Sequence, residues 1–308
     1  VEKMCSAGSS REFFRINKDG KTAVLMHWDG GDGDWDYFIT LNEIENLRDI
    51  IPTIIEAKRD ENQVLVRDCG KFTLKDLFEK RPNALEYQKI LLGEISEKLI
   101  FWQNVKVPET NIISKRIFAI KDLLWESDYF REHNYMLFPE TKALFFSDDF
   151  EKERNEIAAL VDKLPKCLMH RDFQSQNIVF DENKASFVDV QGARIGPCFY
   201  DAASLVFDPY LYPLMSEDLR EYFLKKLRIK DRDSLLLCAL QRLMQAIGAY
   251  GNLSQNKNKP HYKKYIFPAS TQAAQICGEL GKFSTLGEIF TIMQREEFKN
   301  KKKEGYYD

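Results

Sequence analysis

Cys167–Leu205 reads CLMHRDFQSQNIVFDENKASFVDVQGARIGPCFYDAASL. Its alternation of apolar runs and polar clusters spells strand, loop, strand, turn, strand, loop, helix. The apolar residues before His170 put a loop at a strand end, and Ile178 to Phe180 is a short β-branched and aromatic run. Asp181, Glu182, Asn183 and Lys184 supply turn chemistry, and Ser186 to Val188 form a third run that ends on Asp189. A hairpin of this kind holds Asp172, Asn177 and Asp189 together above an apolar floor.

Those three groups suit phosphoryl transfer from Mg-ATP. The transition state is loose and anionic, so a protein mainly positions the reactants and neutralises charge. Asp172 can take the proton of an attacking hydroxyl, and is the expected catalytic residue. Asn177 and Asp189 are hard oxygen donors of the kind Mg²⁺ prefers, and are the expected metal ligands. The HRD-x-x-x-x-N spacing matches a kinase catalytic loop, and Asp189 stands where the metal-binding aspartate of the next strand belongs. An accidental tripeptide in a surface loop explains His170-Arg171-Asp172 alone, but neither the asparagine at its offset nor the aspartate after the hairpin.

HRDFQSQN, VDVQGARIGP and YDAASL resemble the aminoglycoside phosphotransferase superfamily, which shares the protein-kinase-like fold. FVDVQGARIGP is most similar to the branch of small-molecule kinases that includes the bacterial N-acetylmuramate/N-acetylglucosamine anomeric kinases. Protein kinases have Phe-Gly after the metal aspartate; here Val190-Gln191-Gly192 follows, which argues against a Ser/Thr protein kinase. The resemblance implies an α+β, bilobal protein-kinase-like fold, with a small antiparallel-sheet N-lobe over residues 1–69. A larger, mainly helical C-lobe over residues 70–308 would carry the catalytic loop and acceptor site. It also implies that the acceptor is an amino sugar, with the anomeric hydroxyl one candidate position. Rival readings are a kinase for an aminoglycoside, choline or homoserine, and a nucleotide-binding pseudokinase.

At 308 residues the chain has ample material for a core. Lys+Arg 45 against Asp+Glu 48 gives a net charge of −3, and KNKKKEG near the end is the one concentrated basic run. This balance speaks against nucleic acid as a partner. Six scattered cysteines without a CxxC or metal spacing read as reduced thiols of a cytoplasmic protein. The sequence shows neither a signal peptide nor a long apolar run, so no membrane partner is expected. The expected partner is a small-molecule acceptor, and the expected state a monomer. The start at Val1 suggests a trimmed chain or a domain of a longer one.

Near the N-terminus, small residues precede EFFRI, and Lys18-Asp19-Gly20 turns into a second strand, Thr22 to Trp28. Gly8, Ser9, Ser10 and Arg11 would cover the ATP phosphates with backbone N–H groups. GSS-R-x-F-F-R is similar to the equivalent loop of the sugar-kinase branch. In AVLMHW the strand lysine of kinases is replaced at about Met26, and Lys21, Arg11 or Arg15 would have to supply its charge. Glu43 and Glu45 read as solvent-facing residues of the following helix. Gln63 to Val66 is a strand running into a hinge, Arg67-Asp68-Cys69-Gly70, so that adenine would lie near Val66 and Cys69.

Thr73 to Asp76 opens a helix in capping-box style. Ile90, Leu91, Ile95, Leu99 and Trp102 recur at helical spacing and read as core. Trp125, Tyr129 and Phe130 resemble a segment near the acceptor site, with helix packing as the plain alternative, and Glu126 and Asp128 are candidates for sugar hydroxyls. His170 would brace the catalytic loop. Arg194, also a candidate catalytic residue, would either face the transferring phosphate or pin its loop to an acidic neighbour. Asp201 reads as a structural carboxylate early in its helix.

Overall fold

The computed structural model describes residues 1–4, 11–28 and 34–303, with side chains described to residue 295. Gly8, Ser9 and Ser10 therefore lie outside the described residues, as do Cys5 and the acidic loop of residues 29–33. The architecture is α+β, an N-terminal antiparallel sheet followed by a mostly helical remainder. By compactness the chain divides into two units, residues 1–117 with 168–195, and residues 118–167 with 196–308.

The first unit begins with β1 (Glu2–Met4), β2 (Glu12–Lys18), β3 (Lys21–His27), α1 (Asp34–Asn42), β4 (Ile54–Lys58) and β5 (Gln63–Arg67). The five strands form one antiparallel sheet in the order β1-β2-β3-β5-β4. Asp19 and Gly20 both take positive φ, 53° and 80°, the conformation that a two-residue hairpin between right-twisted strands requires. Trp28, just past β3, is buried between the rings of Trp35 and Phe38 and so seats α1.

Glu43 and Glu45 are exposed as expected, but α1 stops before them. Asn42 ends it: its amide donates to the Phe38 carbonyl, and its Oδ1 accepts from the Ile54 N–H. That second bond turns the chain away from the helix axis, and Glu45 opens a separate 3₁₀ turn.

The unit continues with β6 (Phe72–Thr73), α2 (Leu74–Lys80) and α3 (Leu85–Asn104). Thr73 Oγ1 accepts from the Asp76 N–H while the Asp76 carboxylate accepts from the Thr73 N–H, the capping box expected. On α3, Leu91, Ile95, Leu99 and Trp102 are fully buried, whereas Ile90 is 58 % exposed. One residue is about 100° of helix rotation, enough to take Ile90 off the stripe that its neighbour occupies. The chain returns to this unit within β7 (Lys166–Met169), followed by β8 (Ile178–Asp181), β9 (Lys184–Phe187) and β10 (Arg194–Pro197). β8 pairs with β9 on one side and with β6 on the other, so the strand after the hinge segment is hydrogen-bonded to the catalytic hairpin.

The second unit is helical: α4 (Ile120–Glu132), α5 (Lys142–Phe145), α6 (Asp148–Asp162), α7 (Tyr200–Val206), α8 (Glu217–Lys226), α9 (Arg232–Gln255), α10 (Ile266–Leu280) and α11 (Ser284–Lys303). α9 is buried along most of its length, and α4 packs tightly on it. A Cβ at Gly251 would lie 2.4 Å from the His133 carbonyl oxygen, so only glycine permits that approach.

Glu126 corrects an expectation. Its side chain does not present itself to a sugar: it is fully buried, accepts from the Tyr200 hydroxyl at 2.9 Å and from Gln241 Nε2 at 3.0 Å. Asp128 is held by Arg131 and Arg154. Tyr200→Phe removes a donor from a buried carboxylate and is expected to destabilise the protein by about 1–3 kcal/mol, read from urea midpoints. The aromatic cluster divides, with Phe130 in the core and Trp125 half exposed, stacked on Tyr129 at 4.9 Å between ring centroids.

Candidate active site

The catalytic loop hangs between β7 and β8 and is fixed mostly by its backbone. The Asp172 carbonyl accepts from the Gln174 N–H and from Asn177 Nδ2, both at 2.9 Å. His170 is fully buried among Trp102, Phe173 and Phe187, and its Nε2 is 2.9 Å from the Val188 carbonyl. It thus ties the strand before the loop to the strand end that carries Asp189, the bracing role the sequence suggests.

Asp172 and Asn177 are half-buried and Asp189 is exposed, so all three can be reached from solvent. Because the Asn177 amide nitrogen is committed to the Asp172 carbonyl, its Oδ1 is the atom left for a cation. The Val188 N–H donates to the Asn177 carbonyl at 2.9 Å, which brings the Asp189 strand end against Asn177. Gly192 closes the arrangement: a Cβ there would lie 3.5 Å from Asp172 Oδ2. Asp189 sits in the left-handed region at φ 62° and ψ 37°, and Arg171 has φ 77°. Such conformations cost about 1–3 kcal/mol each in non-glycine residues and concentrate at functional loops.

Asp189 Oδ1 accepts from Arg11 Nη2 at 2.6 Å and from Gln191 Nε2 at 2.8 Å. Both donors hold one oxygen of the carboxylate. The other oxygen, with Asn177 Oδ1, makes a hard two-oxygen donor set, which fits a Mg²⁺ ion that completes its shell with phosphate oxygens and water. Among the described residues there is no cluster of three His, Cys, Asp or Glu to hold a cation without such help.

Arg194 is buried, and its Nε donates to the Gly192 carbonyl at 3.0 Å, the contact of a side chain that shapes its own loop. Val66 and Cys69 are buried beside the hinge, and burial pushes the Cys69 thiol up.

The sequence pattern named Arg11 and Arg15 as cations without their partners, and missed Arg116. Arg15 Nε and Nη2 donate to the two oxygens of Asp68 at 2.7 and 3.1 Å, and Nη2 also to the Gly70 carbonyl at 2.7 Å. Arg116 donates to the Gln191 carbonyl and to Asp34 Oδ1, tying the Asp189 loop to α1. No local motif marks either pairing. Burial raises the Asp68 pKa, but hydrogen bonds from Arg15 and the Gly70 amide outweigh it, and the group lies below its ordinary 3.8. A folded pKa below the unfolded one adds stability that is present above the unfolded value and lost as pH falls through the folded one. Asp68→Asn should therefore lower the urea midpoint at pH 7, with the gap to the parent narrowing as pH falls below the ordinary 3.8.

Residues 115–235 match the Phosphotransferase enzyme family. Over those residues the chain is similar to that family. The chain is 26% identical, over 217 residues, to an N-acetylmuramate/N-acetylglucosamine kinase of Neisseria meningitidis, a match spanning 65% of the chain and 59% of that protein. A protein of the same name from Pseudomonas putida is 22% identical over 312 residues, covering 94% of the chain and 87% of the relative. Among solved structures, an ethanolamine kinase of Plasmodium vivax superposes with a TM-score of 0.63 at 13% identity, over 90% of this chain and 81% of that one. The last likeness is one of fold, and the chain has the kinase-like fold that residues 167–205 imply. No helix among its described residues is long and apolar enough to cross a membrane.

Proposed function

We propose that this protein is a phosphotransferase that moves the γ-phosphoryl group of Mg-ATP to a hydroxyl of an amino sugar of N-acetylglucosamine or N-acetylmuramate type, with the anomeric hydroxyl one candidate acceptor. The observation that carries the phosphotransfer is the convergence of Asp172, Asn177 and Asp189 on one braced loop and hairpin, two oxygen donors beside a carboxylate reachable from solvent.

Asp172 orients the acceptor hydroxyl and takes its proton as the oxygen attacks phosphorus. Asn177 and Asp189 would hold Mg²⁺, which when bound neutralises charge on the transferring phosphate. Arg194 serves by keeping the Gly192 turn against Asp172. Gly8, Ser9, Ser10 and Arg11 cover the phosphates, and adenine lies along the hinge at Val66 and Cys69. In this reading residues 1–69 act as the nucleotide-covering lobe, and residues 70–308 carry the catalytic loop and acceptor site. The protein works as a cytoplasmic monomer on a small molecule; the cysteines among the described residues form no disulfide, which suits a reducing compartment.

The sugar rests on the two kinases of that name among the relatives. Met26, buried where a cation is expected, favours a second reading, a module that binds nucleotide without turnover. Coupled ADP release with Mg-ATP decides between them, run with N-acetylglucosamine, N-acetylmuramate, an aminoglycoside, choline and no acceptor. Release that depends on the amino sugars supports the proposal. Release with another acceptor alone replaces the substrate, and saturable nucleotide binding without turnover supports the module.

A further inference from the structure

The face of the sheet that has lost its lysine has not lost its positive charge. In the β2–β3 register Phe13 stands opposite Met26 and Arg15 opposite Val24. Side chains alternate along a strand, so Arg11, Phe13 and Arg15 share a face with Val24, Met26 and Trp28. Arg11, Arg15, Met26 and Trp28 are all buried. Arg11 is thus the diagonal neighbour of Met26, about 7–8 Å away between backbones, which a long side chain spans.

The three cations are not equivalent. Arg15 is committed to Asp68 and the Gly70 carbonyl. Lys21 is exposed at the hairpin turn, opposite Lys18. Arg11 reaches Asp189, with Nη2 2.6 Å from Oδ1 and the guanidinium 4.8 Å over the Trp28 ring. Stacking on a buried ring fixes the plane of a guanidinium before any ligand arrives.

We propose that Arg11 takes over the work of the missing strand lysine: it holds Asp189 by Oδ1, leaving Oδ2 for the metal, and keeps a fixed positive charge beside the metal carboxylate, where phosphate charge gathers. This rests on the phosphotransferase reading of the site. It explains how a chain with methionine in the strand keeps the remaining catalytic set. A preset charge of this kind loses nothing to reorganisation during the reaction.

The test compares the parent with Arg11→Met, Arg11→Lys and the double variant Arg11→Met/Met26→Lys. Mg-ADP affinity is measured by titration calorimetry, and the Mg²⁺ concentration for half-maximal turnover by coupled assay. Arg11→Met should weaken Mg-ADP binding about 10-fold or more, since a hydrogen-bonded charge is lost, and should raise the Mg²⁺ requirement. Lysine at position 26 should restore much of both, which a merely structural loss would not allow. If the double variant does not fold, Arg11→Lys decides, since retained charge should leave it nearer the parent than Arg11→Met. Unchanged Mg-ADP affinity in Arg11→Met overturns the proposal. So does tighter binding, which would make the Arg11–Asp189 pair a latch over the metal site. So does failure of a folded double variant to recover. Calorimetry reads these outcomes even if no acceptor gives turnover, so failure of the kinase reading is seen separately.

Discussion

Replacing Asp172 with asparagine is expected to lower acceptor-dependent turnover about 10²-fold or more, with Mg-ADP binding and thermal stability close to the parent's. The size follows from the role: a positioned base is worth about 10²–10⁴ in rate. The selectivity follows from the local structure. The loop is held through the Asp172 carbonyl, which accepts from the Gln174 N–H and Asn177 Nδ2, and through His170 on the Val188 carbonyl. The side chain takes no share in those three bonds, so an isosteric amide leaves the frame standing while removing the proton acceptor. The proposed metal ligands Asn177 and Asp189 are untouched. A drop in kcat with little change in nucleotide affinity is the signature of an interaction made in the transition state. Parent-like turnover in Asp172→Asn would remove Asp172 from the chemistry, and loss of nucleotide binding together with turnover would point to a collapsed loop.

The central stretch was legible because its information is local. Strand, loop and hairpin follow one another within forty residues, and the polar groups fall at offsets that the chemistry fixes. The same holds for the Asp19-Gly20 turn and the Thr73–Asp76 capping box, where neighbouring residues satisfy one another. What could not be read is everything that depends on residues far apart in sequence. Arg11 and Asp189 are 178 positions apart, and Arg15 and Asp68 are 53 apart. Nothing in either neighbourhood announces the other. Glu126 shows the converse error: a carboxylate in an aromatic segment suggested a sugar ligand, while Tyr200 and Gln241, both remote in sequence, enclose it. Asn42 ends α1 through a bond to Ile54, a tertiary contact that helical periodicity cannot register. Pattern therefore locates the groups that perform the chemistry, and long-range pairing decides which charges surround them.

Gly70→Ala is expected to destabilise the protein by about 4 kcal/mol, and to weaken nucleotide binding in whatever folded fraction remains. Gly70 has φ +120°, where L side chains are strained, and a Cβ there would sit 2.0 Å from the Phe180 carbonyl oxygen and 2.4 Å from its carbon. Both neighbours are backbone, so no rotamer change can relieve the clash. The Phe180 backbone cannot retreat cheaply, because β8 is paired with β6 and β9 on either side of it. Nor can Gly70 move alone, since its carbonyl accepts from Arg15 and its N–H donates to Asp68. The hinge and the catalytic hairpin are therefore one piece at this point. Relief must shift either the Arg67–Gly70 segment, where adenine is proposed to lie, or the hairpin that carries Asn177 and Asp189 at its ends. Urea denaturation of Gly70→Ala beside Asp68→Asn separates the causes, since the second variant removes the Arg15 pair without adding an atom at the contact. A loss in Gly70→Ala no larger than that in Asp68→Asn would mean that the backbone yields at this contact, leaving the β6–β8 pairing to join hinge and hairpin.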